Sequence, residues 1–156
     1  MKILLLDDQP DLIRLYKRAL ERYGHTVLLA FDGTSAYRAL KAPKNVFDIA
    51  VLDLMLKRYE PEFSDEQTAI NRAAPTLGLP SGQAIGLRLW RETPHIPYCY
   101  LSSDISVWVP DLNSEFKGRQ AGDEATLILR KELTPPPELA NKLEAALSLW
   151  QTRGWK

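Results

Sequence analysis

Ile3-Leu4-Leu5-Leu6-Asp7-Asp8 sets four consecutive apolar residues against an acidic pair. A strand with one face in water alternates apolar and polar residues; an unbroken apolar run is buried on both faces, as in a parallel sheet covered by helices. The same grammar recurs outward. Val27–Phe31 is a second run, closed by Asp32-Gly33, and Phe47–Leu52 is a third, ending at Asp53. Tyr98–Leu101 is a fourth and Leu127–Leu129 a fifth. Helical spacing fills the intervals: Leu12, Leu15, Tyr16, Ala19, Leu20 and Tyr23 before Gly24, then Ala36–Leu40 before Pro43. Gly82, Ile85, Gly86, Leu89 and Trp90 follow, started by Ser81, and Leu139, Leu143, Ala146, Leu147 and Trp150 form the last stripe. Five strands alternating with helices predict an α/β fold of three layers. It is a doubly wound, five-stranded parallel sheet in the flavodoxin-like order 2-1-3-4-5, joined by right-handed crossovers.

Composition bounds the function. The 156 residues carry 45% hydrophobic side chains, which suits one ordinary domain over 1–156. Twenty Lys and Arg balance twenty Asp and Glu, so there is no basic excess to release counterions from nucleic acid. No apolar run approaches the ~18 residues of a membrane span. The single cysteine forms no internal disulfide, and with no leader pattern at the start the expected setting is cytoplasmic. Two stretches break the rhythm. The gap 57–79 is longer than an ordinary loop and holds Ser64-Asp65-Glu66-Gln67, a capping-box pattern that predicts a short helix to about Ala74. The extended region 103–124 offers one helix at most, around Leu112–Lys117. Each is a lid or docking candidate, although surface ornament is the commoner fate of such loops.

Open parallel sheets place their sites beyond the carboxyl ends of the strands. Those ends carry Asp7 and Asp8, Asp53, Ser102 and Ser103, and Lys131. Singly, each reads as a helix cap, a loop hydroxyl or a solvated charge. Together they raise a physical question, because two unit charges ~5 Å apart repel by about 3 kcal/mol at an effective dielectric of ~20. Three converging carboxylates need a cation, and an all-oxygen set without His or Cys suits a hard ion such as Mg²⁺. A carboxylate in such a pocket can attack phosphorus to give an acyl phosphate. Lys131 would pair with the phosphoryl charge, and Ser102 would hydrogen-bond its oxygen.

With these residues in place, the sequence resembles a response-regulator receiver domain of two-component signalling. The resemblance is carried by Ile3–Asp8, by Ile49-Ala50-Val51-Leu52-Asp53-Leu54-Met55-Leu56, by Leu101-Ser102-Ser103 and by Ile128-Leu129-Arg130-Lys131. Residues 1–56 and 78–102 follow the pattern, and Gly78-Leu79-Pro80-Ser81-Gly82 is similar to the family's entry into its third helix. The resemblance implies Asp53 as phosphoacceptor, and Mg²⁺ held by Asp7, Asp8, Asp53 and the backbone carbonyl of Met55. It implies Ser102 and Lys131 as the hydroxyl and ammonium of the phosphoryl site. The implied partners are a histidine kinase or histidine phosphotransfer protein upstream and an unknown protein downstream. With no output domain after the last helix, a stand-alone receiver is expected. Homodimerisation is a family habit that no pattern here supports.

The sequence also departs from the family. Lys57 stands where Pro is frequent, and 57–79 reads as an insertion beside the phosphorylation site. Ser103 replaces a small Ala or Gly, and Glu132 replaces the Pro after the lysine, which excludes a cis peptide there in practice. The aromatic switch position falls on Ile128. These departures motivate a second reading, a receiver-fold interaction module that works without phosphorylation. A third, an Asp-nucleophile phosphohydrolase, commonly wants a carboxylate two residues past the nucleophile, and Met55 occupies that position. No enzymatic turnover is therefore expected beyond the protein's own phosphotransfer and dephosphorylation. Phe63, Ile70 and Trp108, in the irregular stretches, are the candidates for partner contact.

Overall fold

The computed structural model describes residues 1–75 and 81–156. Five parallel strands, β1 (Lys2–Leu6), β2 (Thr26–Ala30), β3 (Ile49–Leu52), β4 (Tyr98–Ser102) and β5 (Ile128–Arg130), lie in the order β2-β1-β3-β4-β5. That is the expected order. Helices α1 (Pro10–Arg22) and α6 (Leu139–Thr152) bury Ile13, Tyr16, Leu20, Leu139 and Leu143 against Ile3, Leu5, Val51, Cys99 and Leu101 on one face. The other face carries α2 (Gly33–Lys41), α3 (Ser64–Ala73) and α4 (Gln83–Arg91), over Leu4, Leu6, Leu52, Tyr98 and Tyr100. A short α5 (Asp123–Leu127) runs directly into β5.

The helix boundaries follow local chemistry. Pro10 starts α1, where its missing N–H costs nothing, and Gly24 at φ +84° ends it. Asp32 caps α2 by accepting from the Ser35 N–H at 2.8 Å. Ser81 starts α4 by accepting from the Gln83 N–H at 3.1 Å. The Gly78-Leu79-Pro80 part of that entry segment lies outside the described residues.

Three expectations are corrected. The helix from Ser64 exists, but its capping box does not form: Ser64 is already helical without a side-chain cap, and the Gln67 side-chain oxygen Oε1 accepts instead from the Ser81 N–H at 3.0 Å. No helix spans Leu112–Lys117. A 3-10 turn at Leu112–Ser114 gives way to left-handed backbone at Asn113, Ser114 and Phe116, which no helix tolerates. Phe63, Ile70 and Trp108, expected to meet a partner, are buried in the chain's own core. The amphipathic stripe of α3 finds its apolar partner on α4, and Trp108 finds its own in the 103–122 region.

Candidate phosphoryl and metal site

Parallel strands in register deliver their next residues to one edge. Leu6 pairs with Leu52, and Ser102 with Arg130, so Asp7, Asp53, Ser102 and Lys131 all emerge at the carboxyl end. Backbone bonds extend the ladder there, with the Asp7 N–H donating to Ala30 O at 3.1 Å and the Asp53 N–H to Leu6 O at 3.0 Å.

The acidic side chains are held individually. Asp7 accepts from the Gln9 N–H through Oδ1 at 2.9 Å, Asp53 from the Met55 N–H through Oδ1 at 3.0 Å, and Asp8 from the Lys57 N–H through Oδ2 at 2.7 Å. The Lys131 Nζ lies 2.7 Å from Asp7 Oδ2 and 3.0 Å from Asp53 Oδ2. Each of those two carboxylates is thus fixed at one oxygen by backbone and at the other by the ammonium. Asp7 and Asp53 are buried and Asp8 is partly exposed, and one oxygen from each lies within 4.8 Å of the others.

Burial pushes the Asp53 carboxyl above its ordinary value, and the opposing pull of the Met55 N–H and Lys131 does not overcome it. Burial works to lower Lys131, but its bond to Asp7 and the charge of Asp53 outweigh this and hold it raised. Lys131 therefore stays cationic, yet three carboxylates outnumber one ammonium. The donor set is all oxygen, and a hard divalent cation fits it.

A cavity of about 170 Å³ opens beside this cluster, lined by Asp8, Asp53, Met55, Lys131, Ser103 and Val107 among others. Ser102 is fully buried at the end of β4 and does not line the cavity; its hydroxyl accepts from the Asp104 N–H at a long 3.4 Å. The adjacent Ser103 and the more distant Ser81 do line it, and Ser103 Oγ lies 3.8 Å from the Met55 sulfur. Gly82 presses on the Asp53 backbone, where an added Cβ would collide with the carbonyl oxygen.

Sequence reasoning missed Lys57, Ser81 and Val107 at this pocket. Lys57 acts through its backbone N–H, which no side-chain pattern betrays. Val107 arrives from a segment without periodicity.

No family model matches the chain. The response regulator GtcR of Aneurinibacillus migulanus is 35% identical over 54 residues, which are 35% of this chain and 22% of that protein. The alkaline phosphatase synthesis transcriptional regulatory protein PhoP of Bacillus subtilis is 37% identical over 59 residues, 38% of this chain and 24% of its own length. The chain thus spans under a quarter of the curated relatives it matches. A response regulator receiver domain protein from Clostridium thermocellum has the same fold at a TM-score of 0.60, with 23% identity and 97% of each chain covered. Likeness to response regulators therefore rests on sequence over about a third of the chain, and on a receiver fold over nearly all of it.

Proposed function

We propose that this receiver-fold chain accepts a phosphoryl group on Asp53 with Mg²⁺ and signals through protein contacts in a two-component relay. The observation that supports this most is the ammonium of Lys131, bonded at once to Asp7 and Asp53 beside an open cavity. A phosphohistidine on a histidine kinase or phosphotransfer protein is the fitting donor. An Asp53 carboxylate oxygen attacks phosphorus, the P–N bond breaks, the imidazole leaves with the bonding pair, and an acyl phosphate forms.

Asp7, Asp8 and Asp53, with the Met55 carbonyl, are the residues to hold Mg²⁺, which when bound offsets negative charge on the phosphoryl oxygens. Lys131 then pairs with one phosphoryl oxygen. Ser102 contributes its hydroxyl only by turning toward the cavity; Ser103 is a second hydroxyl already facing it.

The test is intact mass after incubation with a small acyl-phosphate donor and Mg²⁺: one phosphoryl on the wild type and none on Asp53→Asn. Equal labelling of both proteins would overturn the assignment.

A second reading, an interaction module indifferent to phosphorylation, draws on Ile128. That side chain is buried in the core at the family's aromatic switch position and offers no ring to reorient. Partner binding unchanged by Asp53→Asn would favour it.

A further inference from the structure

The 103–122 region is built around one buried carboxylate. Glu115 is fully buried, and its Oε2 accepts from the Tyr98 and Tyr100 hydroxyls at 2.5 and 2.6 Å. Its Oε1 accepts from Trp108 Nε1 at 2.9 Å and from Gln83 Nε2 at 3.0 Å. Gln83 in turn brackets Val109, donating to its carbonyl at 2.7 Å and accepting from its N–H at 2.9 Å. A carboxylate with four donors is a satisfied network, and losing any donor is felt by the rest. Burial nevertheless raises the Glu115 carboxyl above its ordinary value.

Both ends of this network reach the Asp53 pocket. Gln83 follows Ser81, which lines the cavity, and Gly82, which presses on the Asp53 carbonyl. On the other side Val107, a cavity wall, directly precedes Trp108. Tyr98 and Tyr100 occupy the same β4 face as Ser102, two residues apart each time. Meanwhile the backbone around Glu115 is under strain, with Asp111, Asn113, Ser114 and Phe116 all at positive φ. Phe116, packed on Trp90, Tyr98 and Trp155, and the Trp155 Nε1 bond to the Lys117 carbonyl at 2.9 Å hold the far end of this segment, while the Glu115 network ties its near end to the walls of the pocket.

We infer that Glu115 is a positioning residue that, through Trp108 and Gln83, fixes the neighbouring Val107 and Ser81 as walls of the Asp53 pocket, so that filling the pocket loosens or tightens the surface formed by 110–122. This rests on the phosphoacceptor reading above. Coupling is reciprocal: if the clamp biases the pocket, the pocket biases the clamp equally.

The test is amide hydrogen exchange over 105–118, with and without Mg²⁺ and beryllium fluoride as phosphoryl mimic. It is run on the wild type, Asp53→Asn and Tyr100→Phe, the last deleting one donor while keeping the ring. Expected are an exchange change of about tenfold in the wild type on adding the mimic, and none in Asp53→Asn. Tyr100→Phe should show faster basal exchange confined to 105–118 and a labelling rate by a small acyl phosphate altered about threefold or more. A wild type labelled on Asp53 whose 105–118 exchange does not move, or a Tyr100→Phe protein that exchanges and labels as the wild type does, overturns the coupling alone. A wild type that takes no phosphoryl group overturns the phosphoacceptor reading, and the coupling with it.

Discussion

The Lys131 ammonium stands 3.0 Å from the Asp53 carboxylate across 78 residues of chain, while holding Asp7 at 2.7 Å. It balances part of the acidic cluster and, as a like charge, repels any cation added there. Lys131→Met should therefore act in two directions. Mg²⁺ affinity should rise by roughly tenfold or more as the repulsion of ammonium on cation disappears. The labelling rate by a small acyl phosphate should fall about 10–100-fold through loss of a charged hydrogen bond to the phosphoryl group. Calorimetric Mg²⁺ titration and a mass time course check the two arms; affinity and rate falling together would contradict this role.

Gly82 carries no functional group, yet Gly82→Ala should damage both fold and site. An added methyl meets the Asp53 carbonyl oxygen, a backbone atom that cannot step aside cheaply. The expected cost is about 1–3 kcal/mol, read as a lower urea midpoint, together with a reduced labelling rate.

Glu60 reaches back to the start of α2, accepting from the Gly33 N–H at 2.7 Å and the Thr34 N–H at 2.9 Å. A carboxylate there satisfies orphan amides and complements the helix dipole. It also anchors the segment whose Lys57 N–H holds Asp8. Glu60→Ala should cost about 1 kcal/mol in urea unfolding and weaken Mg²⁺ binding, whereas a surface variant such as Lys142→Ala should change neither.

Acid should dissolve the join between α3 and α4. Burial pushes Glu66 up, but the bonded Arg88 guanidinium, 2.6 Å away, and Arg91 bring the carboxyl below its ordinary value. A carboxyl lowered in the folded state contributes stability above its unfolded value and loses that contribution as pH falls through its folded one. Glu66→Gln should cost about 2 kcal/mol at pH 7, less than a fully buried pair because Arg88 keeps some solvent contact. The difference from wild type should shrink between about pH 5 and pH 3. A difference constant across that range would contradict the ion pair's role.

The strands were legible because buried parallel strands leave unbroken apolar runs, and the acidic ends of β1 and β3 with Lys131 were legible because strand ends share one edge. Helix α3 was legible in extent but not in its cap, since Gln67 is drawn away to Ser81 by a contact 14 residues distant. Phe63 and Ile70 were misjudged because the predicted helix, read alone, does not reveal what covers its apolar side, and their burial depends on packing against α4. The Glu115 clamp left no signal: a lone acid in an aperiodic stretch looks solvated until two tyrosines, a tryptophan and a glutamine converge on it.

The most direct measurement is peptide-level mass mapping of the protein after exposure to an acyl-phosphate donor, with Mg²⁺ or with a chelator. The account predicts a single Mg²⁺-dependent phosphoryl group on the peptide containing Asp53, lost in Asp53→Asn. A phosphoryl group mapped elsewhere, or a wild type unlabelled in the presence of Mg²⁺, would contradict it.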